Sequence, residues 1–152
     1  MTRTHYLQEL ESVRESLIEM GRTTVSLLTE ALQTISGADS DSAERASELE
    51  ARTDHQMRTI HDQCLSLITL QAPVARDARL VTGILDAIVD LELIGDYAYE
   101  IVTIGRSPGQ RPPSTIANQI AEIFPEFVRC CRQRSGAGAA TKPPEDCPSR
   151  PR

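Results

Sequence analysis

The sequence predicts an all-α protein built around an antiparallel three-helix bundle. Aromatic residues make up only 3% of the chain and Trp is absent. A core with few rings must be filled by Leu, Ile, Val and Ala, which suits packed helices better than a β-sandwich. Apolar residues also recur at spacings of three and four over three long stretches, with short breaks between them. The 152 residues suffice for one domain with a core.

The first helix is predicted over residues 5–36. Its apolar positions form one stripe close to a heptad repeat, in which Thr24 is the polar exception. Ser36 and Gly37 can end this helix, and residues 39–41 offer caps for the next one. The predicted inner positions are Leu10, Val13, Leu17, Met20, Thr24, Leu27, Ala31 and Ile35.

The second and third helices are predicted over residues 41–70 and 74–104. Pro73 is expected in the first turn of the third helix, where its missing N–H would have no partner anyway. Short connections make neighbouring helices antiparallel. The inner face of the second helix comprises Ala46, Leu49, Thr53, Met57, Ile60, Cys64 and Leu67. That of the third comprises Leu80, Ile84, Ile88, Leu91, Ala98 and Val102, with Val81, Ile94 and Ile101 at its margins.

The composition changes after Gly105, which divides the chain into three predicted parts. Residues 1–105 form the bundle, residues 106–132 hold the partial start of a second helical unit, and residues 133–152 form a disordered tail. Eight of the nine prolines follow Gly105, so this part cannot be one regular helix. A short helix is predicted over 114–124, with its apolar side formed by Ile116, Ile120 and Ile123.

Charge and hydropathy exclude several classes of protein. The net charge is -6, and acidic residues outnumber basic ones in 1–105, so we expect no nucleic-acid partner and attraction of hard cations. No apolar run approaches the ~18 residues of a membrane span, and the first residues lack an apolar signal core. We therefore expect a cytoplasmic protein. The four cysteines have no CxxC spacing, and Cys64 is expected to be a small buried hydrophobe.

Two acidic pairs stand beside the predicted core faces. Glu92 and Asp96 are four residues apart in VDLELIGDYAYE, and Glu50 and Asp54 repeat that spacing on the second helix. Residues four apart lie on one side of a helix. Folding the two helices back about Ala72 brings the two pairs to the same level, because the rise per residue is equal in both.

Four carboxylates at one level would repel one another unless they are protonated, paired or bound to a cation. We therefore predict a metal site formed by Glu50, Asp54, Glu92 and Asp96. Oxygen ligands suit Mg, Mn or Ca, and iron could bind if His61 or bridging water contributes. The alternative is that the acids form an ordinary solvated face, since this spacing is common on exposed helices. Asp86 and Asp90 form another pair on the opposite flank of the third helix.

The stretches LQAPVARDARLV (70–81) and DLELIGDYA (90–98) resemble the PhoU family of phosphate uptake regulators. The opening LQELESVRESLIEMG (7–21) is also similar, so the resemblance covers about residues 5–105. It implies a three-helix repeat that binds metal through E/D-x-x-x-D motifs, matched here by the pairs at 50/54 and 92/96. It also implies a cytoplasmic negative regulator of phosphate import and phosphate-starvation signalling. The implied partners are the ATPase of a phosphate ABC transporter, a phosphate-sensing histidine kinase and a second copy of the chain.

The chain departs from the family pattern in several places. Leu93 replaces an Arg and Ala78 replaces a Leu. A full member has a second bundle, of which RPPSTIANQIAEI (111–123) resembles only the start, so we expect a truncated or frame-shifted member. Neither a Glu-x-x-His pair, a Ser/His/Asp arrangement nor a Gly-rich phosphate loop is present, so we expect no enzyme. The alternative function is a helical adaptor or dimerisation module without metal or regulatory activity.

Overall fold

The computed structural model describes residues 3–37, 41–73 and 75–107, together with 113, 115, 118–120 and 122. The all-α prediction is confirmed. Three long helices, α1 (Arg3–Ser36), α2 (Ser42–Gln71) and α3 (Arg76–Arg106), pack against one another in every pairing. Helical backbone is also described at 115, 118–120 and 122, inside the predicted short helix. The predicted tail, residues 133–152, lies outside the described residues.

The core consists of two apolar clusters that follow each other along the bundle axis. The cluster nearer the α2–α3 connection centres on Met20, Ile60 and Ile88, and the other on Leu27 and Ala98. Thr24 and Thr53 are buried between the two clusters. Their hydroxyl groups donate to backbone carbonyls of their own helices, Thr24 to Met20 at 3.1 Å and Thr53 to Leu49 at 2.9 Å. Burying these two hydroxyls therefore leaves no donor without a partner.

The predicted inner faces of α1 and α2 are confirmed, since every position on them is buried or half-buried. On α3 the prediction was wrong at one end. Leu80 is 40% exposed, whereas Val81, placed at the margin, is fully buried. Both residues are apolar, and Val81 lies three residues before Ile84 and seven residues before Ile88. The apolar pattern alone could not choose between two adjacent apolar residues in the first turns of a helix.

The start of α3 also differs from the prediction. The helix begins at Arg76, so Pro73 lies in the connection and not in the first helical turn. Ala72 and Ala75 both have positive φ, at 43° and 50°. The chain therefore reverses through residues in the left-handed region on either side of Pro73, which the sequence did not indicate because neither is Gly. The predicted antiparallel α2–α3 pair is present nonetheless.

The opposite end of the bundle is held by a contact shared by all three helices. The Thr34 hydroxyl of α1 lies 2.9 Å from the Ser42 hydroxyl of α2, and both side chains are buried. Gly105 of α3 packs on the same Thr34, and a Cβ added at Gly105 would lie 2.8 Å from Thr34 Cγ2. The Arg45 guanidinium adds an α2–α1 ion pair with Glu30 at 3.0 Å.

Two glycines of α3 provide opposite tests of this packing. A Cβ at the exposed Gly83 would meet nothing within 4 Å, so Gly83→Ala should stabilise the protein by about 0.5–1 kcal/mol through helix propensity. Gly105→Ala should instead destabilise it, because the new methyl group would press on Thr34. Urea unfolding of both variants measures the two changes, and equal stabilisation by both would contradict the close contact at Gly105.

Candidate metal centre

The helices α2 and α3 approach closely at one pair of small residues. Thr53 is 2% exposed, and Gly95 is buried directly opposite it. A Cβ added at Gly95 would lie 3.5 Å from Thr53 Cγ2 and 3.7 Å from Leu27 Cδ2. The side chains of Thr53 and Leu27 thus pack directly on the α3 backbone at Gly95, which has no side chain of its own. Small residues at a crossing point permit the short interaxial distances of such packing.

The same contact brings the two predicted acidic pairs together. In EARTD (50–54) and ELIGD (92–96) the contact residue directly precedes the Asp of the pair. One carboxylate oxygen from each of Glu50, Asp54 and Asp96 lies within 4.8 Å of the others. Glu50 and Asp54 are half-buried, and Asp96 is exposed. The level of the pairs along the bundle is therefore as predicted.

The fourth predicted residue, Glu92, is not part of this group of three, and it lies one turn before Asp96 on α3. It is half-buried, and burial is the main reason why its pKa is raised, followed by the negative charges of Asp96, Asp54 and Glu50. The pKa of Glu50 is raised in the same way, first by burial and then by Asp54 and Asp96. These mutual effects place all four carboxylates in one electrostatic cluster, which we call the α2–α3 carboxylate cluster.

Within the described part of the chain, a basic side chain pairs with one member of the cluster. The Arg58 guanidinium lies 3.0 Å from Asp54 one turn away, whereas Arg52 extends to Glu19 of α1 at 2.7 Å. Among the described residues, no ion pair joins Glu50, Glu92 or Asp96 to a basic group. The carboxylates of Glu50, Glu92 and Asp96 thus lie near one another and near solvent, with no basic partner among the described residues.

Other residues considered from the sequence do not join the cluster. The His61 ring is half-exposed, and its Nδ1 lies 3.6 Å from Asp62 of its own helix. It is absent from the group of potential ligand atoms found among the described residues. Asp86 and Asp90 are exposed, on the flank predicted for them. Cys64 is a buried free thiol, as predicted, and burial raises its pKa.

The sequence reasoning missed the role of Gly95. Thr53 was a predicted inner position, whereas no role was predicted for this glycine. A glycine inside a helix costs about 1 kcal/mol relative to Ala, so its presence usually has a packing reason. That signal was present in the motif ELIGD and identifies the point at which the two helices touch.

The described part of the chain is thus a three-helix bundle domain with a carboxylate cluster where two of its helices meet. The PhoU domain model matches residues 17–104. This match spans more than half of the chain and includes both acidic pairs. The chain belongs to the PhoU family.

Several curated relatives are similar to the chain over the same region. A phosphate-specific transport system accessory protein PhoU homolog of Synechocystis sp. is 33% identical over 121 residues, covering 80% of this chain and 54% of that protein. The homolog of Pseudomonas aeruginosa is 31% identical over 103 residues, covering 64% and 43%. The Escherichia coli protein of that name is 36% identical over 93 residues, covering 61% and 39%.

The chain spans about half, or less, of the length of the curated relatives it matches. No solved structure shows significant similarity to it. Within the described residues, no helix combines the length and the apolar character required to cross a membrane.

Neutralising one member of the carboxylate cluster should stabilise the metal-free protein. Because the pKa of Glu92 is raised on folding, the folded state holds this proton more tightly, and stability falls as pH rises from the ordinary glutamate range of about 4.3 through the raised value. Glu92→Gln should therefore raise the melting temperature at pH 7, and the gain should vanish near pH 4. Thermal unfolding in EDTA between pH 4 and 8 measures this difference. Glu48→Gln, at an exposed position of α2, serves as the control, and an equal gain in that variant would contradict the coupling.

Proposed function

We propose that the chain is a non-enzymatic accessory protein of phosphate transport, which restrains phosphate uptake and phosphate-starvation signalling. Membership of the PhoU family supports this proposal, as do relatives named phosphate-specific transport system accessory proteins. The proposed partners are the ATPase of a phosphate ABC transporter and a phosphate-sensing histidine kinase. The proposed acting form is a cytoplasmic homodimer.

The proposal assigns metal binding to the α2–α3 carboxylate cluster. The observation that carries it is the convergence of oxygens from Glu50, Asp54 and Asp96 within 4.8 Å, from two helices that meet at this level. Glu92 supplies a further carboxylate beside them. Burial raises the pKa of Glu50 and Glu92 most, and the neighbouring carboxylates raise it further; a bound cation would neutralise those neighbouring charges. Such a cation would link α2 to α3 and so stabilise the bundle.

The donor set favours a hard cation. All four side chains offer carboxylate oxygens, which suit Mg and Mn. Ferrous or ferric iron also accepts such ligands, although His61 does not lie among them. Asp96 is exposed and Glu50 is half-buried, so solvent can complete the coordination of any of these ions. The site therefore fits a divalent or transition metal ion held by protein oxygens and water.

Metal binding should stabilise the wild-type protein and not a variant whose cluster is neutralised. A ligand present at 100 times its Kd adds about 2.7 kcal/mol of stability, so titration with Mn²⁺ or Mg²⁺ should raise the melting temperature by several degrees. In Glu92→Gln/Asp96→Asn this increase should be absent. Metal analysis after dialysis should likewise find less bound metal in this variant than in the wild type.

The matched control is Asp86→Asn/Asp90→Asn. It removes two charges at the same four-residue spacing from the same helix, but at exposed positions on the other flank. This variant should retain the metal-induced stabilisation. Equal responses of the wild type and both variants would show that the cations act through general charge screening. In that case the acids would form a solvated face.

The regulatory role requires a test in cells. Expression of the chain in a bacterium that lacks its own PhoU family member should lower phosphate uptake and the output of a phosphate-starvation reporter. The cluster variant should restore less repression than the wild type at equal protein levels. An unchanged reporter with a folded, metal-binding protein would contradict the regulatory role without affecting the metal site.

A further inference from the structure

The solvent-facing side of α3 has a row of large apolar side chains. Val89, Leu93 and Tyr97 follow one another at intervals of four residues, and Ile104 extends the row toward the end of the helix. Their side chains are 56%, 45%, 57% and 44% exposed, in that order. Residues four apart differ by about 40° around a helix, so Val89, Leu93 and Tyr97 are neighbours on a side that faces away from the core, and the exposed Glu100 lies between Tyr97 and Ile104. We refer to these four residues as the outer row of α3.

This row distinguishes α3 from the other two helices. A helix in a three-helix bundle normally has one apolar side, and a helix that is apolar on two sides is usually covered on both. Among the described residues, the large exposed apolar side chain of α1 is Leu7, and those of α2 are confined to Leu65, Ile68 and Leu70 in its last turns. The outer row instead occupies the middle and end of α3. Contiguous apolar surface of this kind marks an interaction site more often than scattered exposure does.

The charged residues of α3 between Leu80 and Gly105 all have one sign. Between Leu80 and Gly105, α3 has no Lys or Arg. Asp86, Asp90, Asp96 and Glu100 are exposed and lie between or beside the row residues. A second copy that presented the same face would place these carboxylates against one another, and like charges across an interface are unfavourable. The pattern therefore favours a partner with basic residues around an apolar stripe.

We propose that the outer row of α3 docks an amphipathic helix of a partner protein, whose apolar side covers Leu93 and Tyr97 and whose bordering Lys and Arg residues face the acids. This is the helix-on-helix mode of recognition, in which side chains at four-residue intervals supply the anchors. The acids give charge complementarity, which governs the rate of association and selects against acidic partners. The proposal goes beyond the function proposed above and does not depend on metal binding by the α2–α3 carboxylate cluster.

The test uses a fluorescent synthetic helix of 18 residues, with Leu at i, i+4 intervals and Lys or Arg on both sides of that stripe. Binding to the full chain is followed by fluorescence anisotropy. Two further peptides serve as comparisons: one has Glu in place of Lys and Arg, and one has the basic composition in scrambled order. We expect the basic amphipathic helix to bind, with an affinity that falls as salt is raised. Equal binding of the scrambled peptide would overturn the proposal, because attraction by charge alone would then explain it.

Two protein variants locate the binding face. Leu93→Gln should weaken binding by about ten-fold, the effect expected for losing one buried apolar anchor. Leu65→Gln is the matched control, because Leu65 is also 45% exposed but lies on α2, and it should bind as the wild type does. Asp86→Asn/Asp90→Asn should weaken binding and reduce its salt dependence. Equal weakening by Leu93→Gln and Leu65→Gln would overturn the assignment to α3.

Two results would assign the face to another occupant and so overturn the proposal. If the wild type sediments as a dimer and Leu93→Gln as a monomer, a second copy covers the outer row. The chain continues after α3, and Ile120 in that region is half-buried. If the wild type does not bind the peptide but Ile120→Gln does, this region covers the row within the same chain.

Discussion

The close approach of α2 and α3 at Thr53 and Gly95 determines where the acidic side chains of this protein meet. A Cβ at Gly95 would already be in van der Waals contact with Thr53 and Leu27, so a larger side chain would push the helices apart. Each contact residue directly precedes an Asp and follows a Glu by three positions. The close approach of the two helices therefore also fixes the positions of the carboxylates. Packing and charge are thus coupled by the spacing Glu-x-x-small-Asp on both helices.

Bringing these carboxylates together costs free energy because they repel one another, and the basic residues of the bundle offset only part of that repulsion. Arg58 pairs with Asp54, but Arg52 lies on the other side of α2 with Glu19. A fold that needed only stability at this level could place apolar or basic residues beside Thr53 and Gly95. The bundle instead has four carboxylates there, with raised pKa values for Glu50 and Glu92. Under the proposed metal binding, a cation would offset this repulsion and so stabilise the protein.

Much of the fold could be predicted because a helix repeats its environment every three to four residues. The inner faces of α1 and α2 and the antiparallel order follow from that period and from short connections. The period fails at helix ends, where Leu80 and Val81 are equally apolar neighbours and only one of them points inward. It also fails in the connection, where Ala72 and Ala75 adopt positive φ without being Gly. Both properties depend on how α3 packs against α1 and α2.

The candidate site could be predicted in outline for the same reason. Equal rise per residue placed Glu50 and Asp54 beside Glu92 and Asp96, and the mutual effects on the pKa values agree with that level. The sequence could not show which of these four carboxylates are exposed, because the burial of each side chain depends on how all three helices pack together. It also could not show that Arg52 extends away to Glu19, since one Arg on a helix can reach either neighbour.

The buried and the exposed sides of α3 require different kinds of residue within one stretch of sequence. Residues 88–98 must supply buried positions for the core, two carboxylates for the α2 edge, and the outer side chains Val89, Leu93 and Tyr97. Leu93 directly follows Glu92, and Tyr97 directly follows Asp96, so the outer row and the carboxylate cluster are adjacent around the helix. A helix bound to the outer row would lie next to the cluster. Any shift of α3 on such binding would therefore act on the contact between Gly95 and the Thr53 side chain of α2.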